Sequence, residues 1–332
     1  MRSKRRDDDR QRDQESSGTP RRTMLAAGAG IAVGAATLGA AGSASAVSPN
    51  PAENLTGARS REPGTRISVA PGVSVNISDQ DGGRRGTVVF VPGWPLASTT
   101  FEYTYQFLAD HGYRAIGIDQ RGFGLSDAPY GPYGYDVWAR DIQTVLRTLS
   151  LRNVTLVGHS MGGAVALRHA AKFGNRIGKL VVAEVPAPRF VYGPESADLT
   201  AALNGLIAGY ATDRAATVRS FSGNFFATHT DITTDPFLQF FERQCLDQAS
   251  LPASRAGLIA LRDTDLTSDL GKVSVKTLVF HAINDKIVPL DHGQAVAAGI
   301  RRARLVTFAT AGHAIYVDEP EKFNRELLDF IR

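Results

Sequence analysis

Cysteine is almost absent from these 332 residues: Cys245 stands alone. One thiol cannot close an intrachain disulfide. With no Cys or His at ligand spacing beside it, it gives no metal site either, and a buried structural thiol is expected. A large net charge is also missing. The formal charge is +4, but residues 1–46 hold eight Lys/Arg and five Asp/Glu, which leaves +1 for the rest. Nothing in the body of the chain therefore suggests nucleic acid or an anionic membrane as a partner. The one long apolar run, residues 25–42, is Ala/Gly-rich and poor in Leu, Ile and Phe, so it makes a weak permanent membrane span. No internal repeat is present. What remains is ordinary for a globular protein: 43% hydrophobic and 21% charged residues, in a chain long enough for a sizeable core.

The first twenty residues are charged, with Asp7-Asp8-Asp9 among many arginines, and read as a solvated run. Arg21-Arg22 then precedes the apolar stretch, and Ala44-Ser45-Ala46 follows as a small-residue cleavage pattern. Basic region, apolar region and A-x-A together make an export signal over 1–46, and the paired arginines resemble a twin-arginine signal. The expectation is a secreted or periplasmic protein that meets the export machinery and keeps no membrane insertion after cleavage; an uncleaved anchor is the alternative. Residues 47–65, rich in Pro, Asn, Gly and Ser, read as a linker.

From residue 66 the patterning changes. Arg66–Val69 and Val73–Ile77 alternate with period two around Pro71-Gly72, which predicts a hairpin. Thr87–Val91 is a continuous apolar strand, followed by a helix near 101–110, a strand at Tyr113–Asp119 and an amphipathic helix at Val137–Leu149. Val154–Val157, an Ala-rich helix to about Phe173 and a strand at Lys179–Val185 continue the alternation. This predicts an α/β fold with a mostly parallel central sheet and helices on both faces. The alternation stops at Pro186-Ala187-Pro188. Helical stretches near 198–210, 213–226, 235–249 and 252–263 then predict a helical cap, residues 190–270, inserted between core segments 66–189 and 271–332. Strands at 277–281 and 304–309 and helices at 291–300 and 319–331 complete the core.

The strand at 154–157 runs into Gly158-His159-Ser160-Met161-Gly162, the G-x-S-x-G nucleophile elbow. Such a turn stands the Ser160 hydroxyl clear of strand and helix, with the positive end of the helix aimed at it. Serine needs a base to take its proton. His313 fits, in a small-residue loop after a late strand; His159 lies inside the elbow, His229 in the cap, and His281 ends a strand too early. A third group must orient the imidazole. Asp285, just past the strand 277–281, gives the chain order Ser, Asp, His; Glu184, at the end of the preceding strand, is the rival. For the oxyanion, two backbone N–H donors are expected, from Met161 and from Trp94 in the loop after strand 87–91.

These residues carry a resemblance. Pro92-Gly93-Trp94-Pro95, Asp119-x-Arg121-Gly122-x-Gly124-x-Ser126 and Gly158-His159-Ser160-Met161-Gly162-Gly163 are similar to the cofactor-free haloperoxidase and arylesterase branch of the α/β-hydrolase superfamily. The resemblance covers residues 66–332. One departure stands out: Pro92-Gly93 replaces the usual His-Gly before the oxyanion residue, a change that leaves main-chain donation intact. The resemblance implies a serine hydrolase acting on a carboxylic ester or lactone through an acyl-serine, with no metal or cofactor and a small apolar molecule as its partner. A perhydrolase that makes peracids from hydrogen peroxide is one alternative, and a non-catalytic ligand-binding protein on the same scaffold is another. The loop 119–126 is expected to shape the floor of the site without a catalytic role. The cap phenylalanines Phe221, Phe225, Phe226, Phe237, Phe240 and Phe241 form either the cap's own core or the wall of an apolar substrate pocket.

Overall fold

Strands β1 (Thr65–Ala70) and β2 (Val73–Gln80) pair antiparallel around Gly72, whose φ of +69° suits a residue without a side chain. The computed structural model describes residues 64–192, 196–227 and 233–332. The export-signal segment, all but the end of the linker, and His229 lie outside them.

After the hairpin come β3 (Thr87–Val91), α1 (Glu102–Asp110), β4 (Arg114–Ile118), α2 (Tyr135–Thr148), β5 (Val154–His159), α3 (Met161–Phe173) and β6 (Ile177–Ala183). Five helices follow: α4 (Ser196–Thr212), α5 (Arg214–Phe225), α6 (Asp235–Asp247), α7 (Leu251–Asp263) and α8 (Thr267–Leu270). The chain ends with β7 (Lys276–Ala282), α9 (Leu290–Gly299), β8 (Ala303–Phe308), α10 (Ile315–Asp318) and α11 (Pro320–Ile331).

The eight strands form one sheet in the order β1-β2-β4-β3-β5-β6-β7-β8. β2 meets β4 antiparallel, and every pairing from β4 to β8 is parallel. Both faces are covered, which is why β3 reads as an unbroken apolar run and β5 as one interrupted only by Thr155: Val88 to Val91 and Val154 to Val157 are all buried. Helix α2 buries Trp138, Ile142, Val145 and Leu146 along one stripe, as its spacing predicts.

Two features differ from the sequence-based expectation. Strand β6 begins and ends two residues earlier than 179–185, because Ala183 pairs with His159 and the two strands stop together. Glu184 therefore sits in the turn beyond, at φ +45°. Two four-residue helices, α8 and α10, were not anticipated; α10 directly follows the His313 loop.

Candidate active site

The elbow needs close backbone approach. A Cβ on Gly162 would lie 2.3 Å from the carbonyl oxygens of Val91 and Pro92, and one on Gly158 would lie 2.4 Å from the Gly162 oxygen. Without those side chains, α3 packs onto β3 and β5, and Ser160 takes the corner at φ +50°, ψ −124°. The Ser160 N–H donates to Ala183 O at 2.8 Å, and its carbonyl accepts from Ala164 N–H at 3.1 Å. Both ends of the corner are thereby pinned.

His313 and Asp285 come from loops after β8 and β7, at the same sheet edge. His313 Nδ1 lies 2.7 Å from Asp285 Oδ2. The other carboxylate oxygen accepts the N–H groups of Ile287 and Val288 at 2.8 and 3.0 Å. Burial pushes the Asp285 carboxyl up, but the His313 and His281 rings and these N–H groups outweigh it and hold it below its ordinary range. An ionised carboxylate then fixes the ring tautomer: Nδ1 carries the hydrogen and Nε2 is left free for chemistry.

Glu184, the rival acid, is used differently. It is fully buried, and its Oε1 accepts the Ala282 N–H at 3.2 Å. Burial first, and then the nearby Asp285 charge, hold its carboxyl well above the ordinary range. It stays a neutral prop under the end of β7, while Asp285 takes the histidine.

Two other histidines serve the site in ways the sequence did not signal. His159 Nε2 lies 2.8 Å from the carbonyl oxygen of His313. A carbonyl only accepts, so Nε2 carries the hydrogen; burial and the neighbouring His313 depress the His159 pKa to about 3 and keep the ring neutral. The residue before Ser160 thus tethers the backbone of His313. His281 Nε2 donates to Val288 O at 2.9 Å and steadies the turn that presents Asp285.

The two expected oxyanion donors also lie at this edge. Among the described residues, no protein acceptor takes the main-chain N–H of Trp94 or Met161. The Trp94 indole points into the helices between β6 and β7. It donates to Ser254 O at 3.0 Å and packs on Tyr210 and Phe221, with ring centroids 5.1 and 5.2 Å away. The 119–126 loop is anchored by Arg121, whose buried guanidinium makes two 2.6 Å bonds to Asp141. It also supports α7: Ser250 N–H donates to Gly122 O and Gly124 N–H to Gln248 O, at 2.9 and 2.6 Å.

The site is roofed. Ser160 is 7% exposed and His313 1%. Phe225 of α5 stands edge-on to His313 with ring centroids 5.1 Å apart. Two cavities are bordered by the roofing helices, and Ser160, Asp285 and His313 are not among the residues that line them. One, about 350 Å³, is walled by Phe226, Phe237, Phe240, Phe241 and Tyr316. The other, about 530 Å³, runs between α4, α5 and Ile287 and includes Phe221. Phe225 is fully buried core, and Phe221, Phe226 and Phe241 are buried as well while bordering one or other cavity with Phe237 and Phe240. Cys245 is buried, and its thiol is pushed well up by desolvation, as expected for an inert structural residue.

Comparison with known proteins agrees with this fold. The family model for the alpha/beta hydrolase fold matches residues 86–320. An AB hydrolase superfamily protein of Bacillus subtilis, YisY, is 35% identical over 263 residues, covering 77% of this chain and 95% of that protein. The non-heme chloroperoxidase CPO-A1 of Kitasatospora aureofaciens is 31% identical over 269 residues, covering 77% of this chain and 96% of that protein. An esterase structure from Exiguobacterium antarcticum, EaEST, superposes with a TM-score of 0.75 at 34% identity, over 81% of this chain and 99% of that one. On the sheet order, the elbow and these matches, the chain belongs to the alpha/beta hydrolase family, with esterases and haloperoxidases among its relatives.

Proposed function

We propose that this protein is an exported serine hydrolase that cleaves a carboxylic ester or lactone through an acyl-serine. The observation that carries the reading is the 2.7 Å contact between His313 and the ionised Asp285 at the edge where Ser160 occupies the elbow. In the proposed reaction, Ser160 Oγ attacks the ester carbonyl and His313 Nε2 takes its proton. The oxyanion lies on the Trp94 and Met161 N–H groups. His313 returns the proton to the leaving alcohol, and a water activated by the same nitrogen then releases the acid and regenerates the serine. The apolar cavities bordered by the phenylalanines of the roofing helices support a substrate with an apolar acyl or alcohol part.

The test is covalent labelling by a fluorophosphonate probe, with hydrolysis of nitrophenyl esters of graded chain length. We expect labelling of Ser160 and loss of both signals in Ser160→Ala. Turnover within tenfold of the parent in that variant removes Ser160 as nucleophile.

The similarity to a non-heme chloroperoxidase favours a second reading. Hydrogen peroxide in place of water at the acyl-serine yields a peracid and free serine, and the peracid oxidises bromide to hypobromous acid with return of the carboxylate. Bromination of a phenol-type dye should then require both peroxide and a short carboxylic acid, and should vanish in Ser160→Ala. Bromination without a carboxylic acid excludes the route.

A further inference from the structure

One carboxylate outside the expected site touches both the histidine loop and the helices above it. Asp318, the last residue of α10, receives two main-chain N–H groups on Oδ2: Gly312 at 2.8 Å and Ala227 at 3.1 Å. Gly312 immediately precedes His313. Ala227 lies just past the end of α5, next to Phe225 and Phe226. Independently, Gly312 lets the two segments touch. A Cβ there would lie 2.6 Å from Ala227 N and 2.8 Å from the Phe226 carbonyl carbon. Of the two phenylalanines held by this contact, Phe225 faces His313 and Phe226 is a wall of the 350 Å³ cavity.

We propose that Asp318 is a positioning residue that latches the end of α5 to the His313 loop, and so sets the Phe225–Phe226 partition that decides how large an ester reaches Ser160. This rests on the hydrolase reading above. A carboxylate accepts an N–H more strongly than a neutral carboxyl does. Burial raises the Asp318 pKa to about 6, and the two N–H groups only partly oppose this. The charged and titratable groups around it are Glu319, Asp285, Glu184 and Tyr316; the bond from the α5 side comes from main chain. The latch is therefore tight above about pH 6 and loosens as the carboxyl gains its proton below.

The experiment compares kcat/KM for a dodecanoyl and an acetyl nitrophenyl ester from pH 5 to 8. A pH effect on the shared acylation chemistry is common to both esters, so their ratio cancels it and reads the partition. In the parent, the long-to-short ratio should rise as pH falls through about 6. Asp318→Ala loses both bonds, and its ratio should be raised about tenfold at pH 8 and flat with pH. Asp318→Asn keeps an acceptor oxygen but no charge, and should give a smaller, pH-flat rise. Amide hydrogen exchange at Gly312 and Ala227 should be faster in Asp318→Ala. A parent ratio that is flat across this range, or an alanine variant with the parent's ratio and exchange, overturns the latch. If Asp318→Ala does not fold, the parent and Asp318→Asn profiles decide. Absence of fluorophosphonate labelling at Ser160 overturns the hydrolase reading instead, and the exchange measurement still tests the latch.

Discussion

At the scale of single residues, the site separates two carboxyl groups by environment. Asp285 is ionised against His313, whereas Glu184 keeps its proton. Asp285→Asn should lower turnover about 10⁴-fold, since the imidazole loses the partner that fixes its tautomer. Glu184→Gln retains an acceptor for the Ala282 N–H and should lose far less; steady-state kinetics on one ester checks the ranking, and the reverse order would move the acid to Glu184. The same variant has a signature in stability. The folded state binds the Glu184 proton more tightly than the unfolded chain does, so this contribution is full below the unfolded pKa and is lost as pH rises towards the folded one. Glutamine has no proton to lose. Denaturant melts from pH 4 to 8 should therefore show Glu184→Gln gaining on the parent by about 1.4 kcal/mol per pH unit until Glu184 ionises in the fold. A gain towards acid pH would contradict the assignment. Ser160, Asp285 and His313 were legible because each sits beside a strand or turn with a strong local pattern. His159, His281 and Asp318 were not, because each pairs with main-chain groups, at sequence separations from 6 to 154 residues, and a main-chain partner leaves no trace in residue type.

At the scale of elements, helix α7 packs against the two residues expected to donate to the oxyanion. Its Ser254 carbonyl holds the Trp94 indole, and a Cβ on Gly257 would lie 2.9 Å from Trp94 Cδ1 and 3.2 Å from Met161 Sδ. Both residues expected to donate to the oxyanion pack against one glycine. Gly257→Ala should push one of them off its position and lower kcat about tenfold, short of the 10²–10³ for full loss of a donor, with KM nearly unchanged. A fall confined to KM would place Gly257 in substrate binding instead. The strands were read from their apolar period within three residues, the largest difference being β2, which continues to Gln80 past the expected end at Ile77. The helices at 196–263 were recognised by what was missing, since no alternating segment interrupts them. Helix α10 escaped because four residues are too few to show a period. That short turn nevertheless carries Asp318.

At the scale of the whole molecule, the net charge is concentrated in the first 46 residues, where the export signal is expected, while the hydrolase body carries +1 of the +4 total. If the paired arginines are read by a receptor, Arg21→Lys with Arg22→Lys should block secretion even though charge is kept. Fractionation of producing cells checks this, and undiminished export would point to another route or to an anchor. Another whole-molecule property follows from the corner that holds Ser160. At φ +50°, ψ −124°, an L-residue is held in a region that only glycine enters freely, a penalty of about 1–3 kcal/mol. Glycine would remove it, at about 0.5–1 kcal/mol of extra chain entropy. Ser160→Gly should therefore melt about 2–4 °C above the parent while turning over nothing, a shift that differential scanning calorimetry resolves. Selection for durability alone would drive this chain towards a tougher protein without a catalyst, and a stability screen run without an activity assay would retrieve that inactive variant.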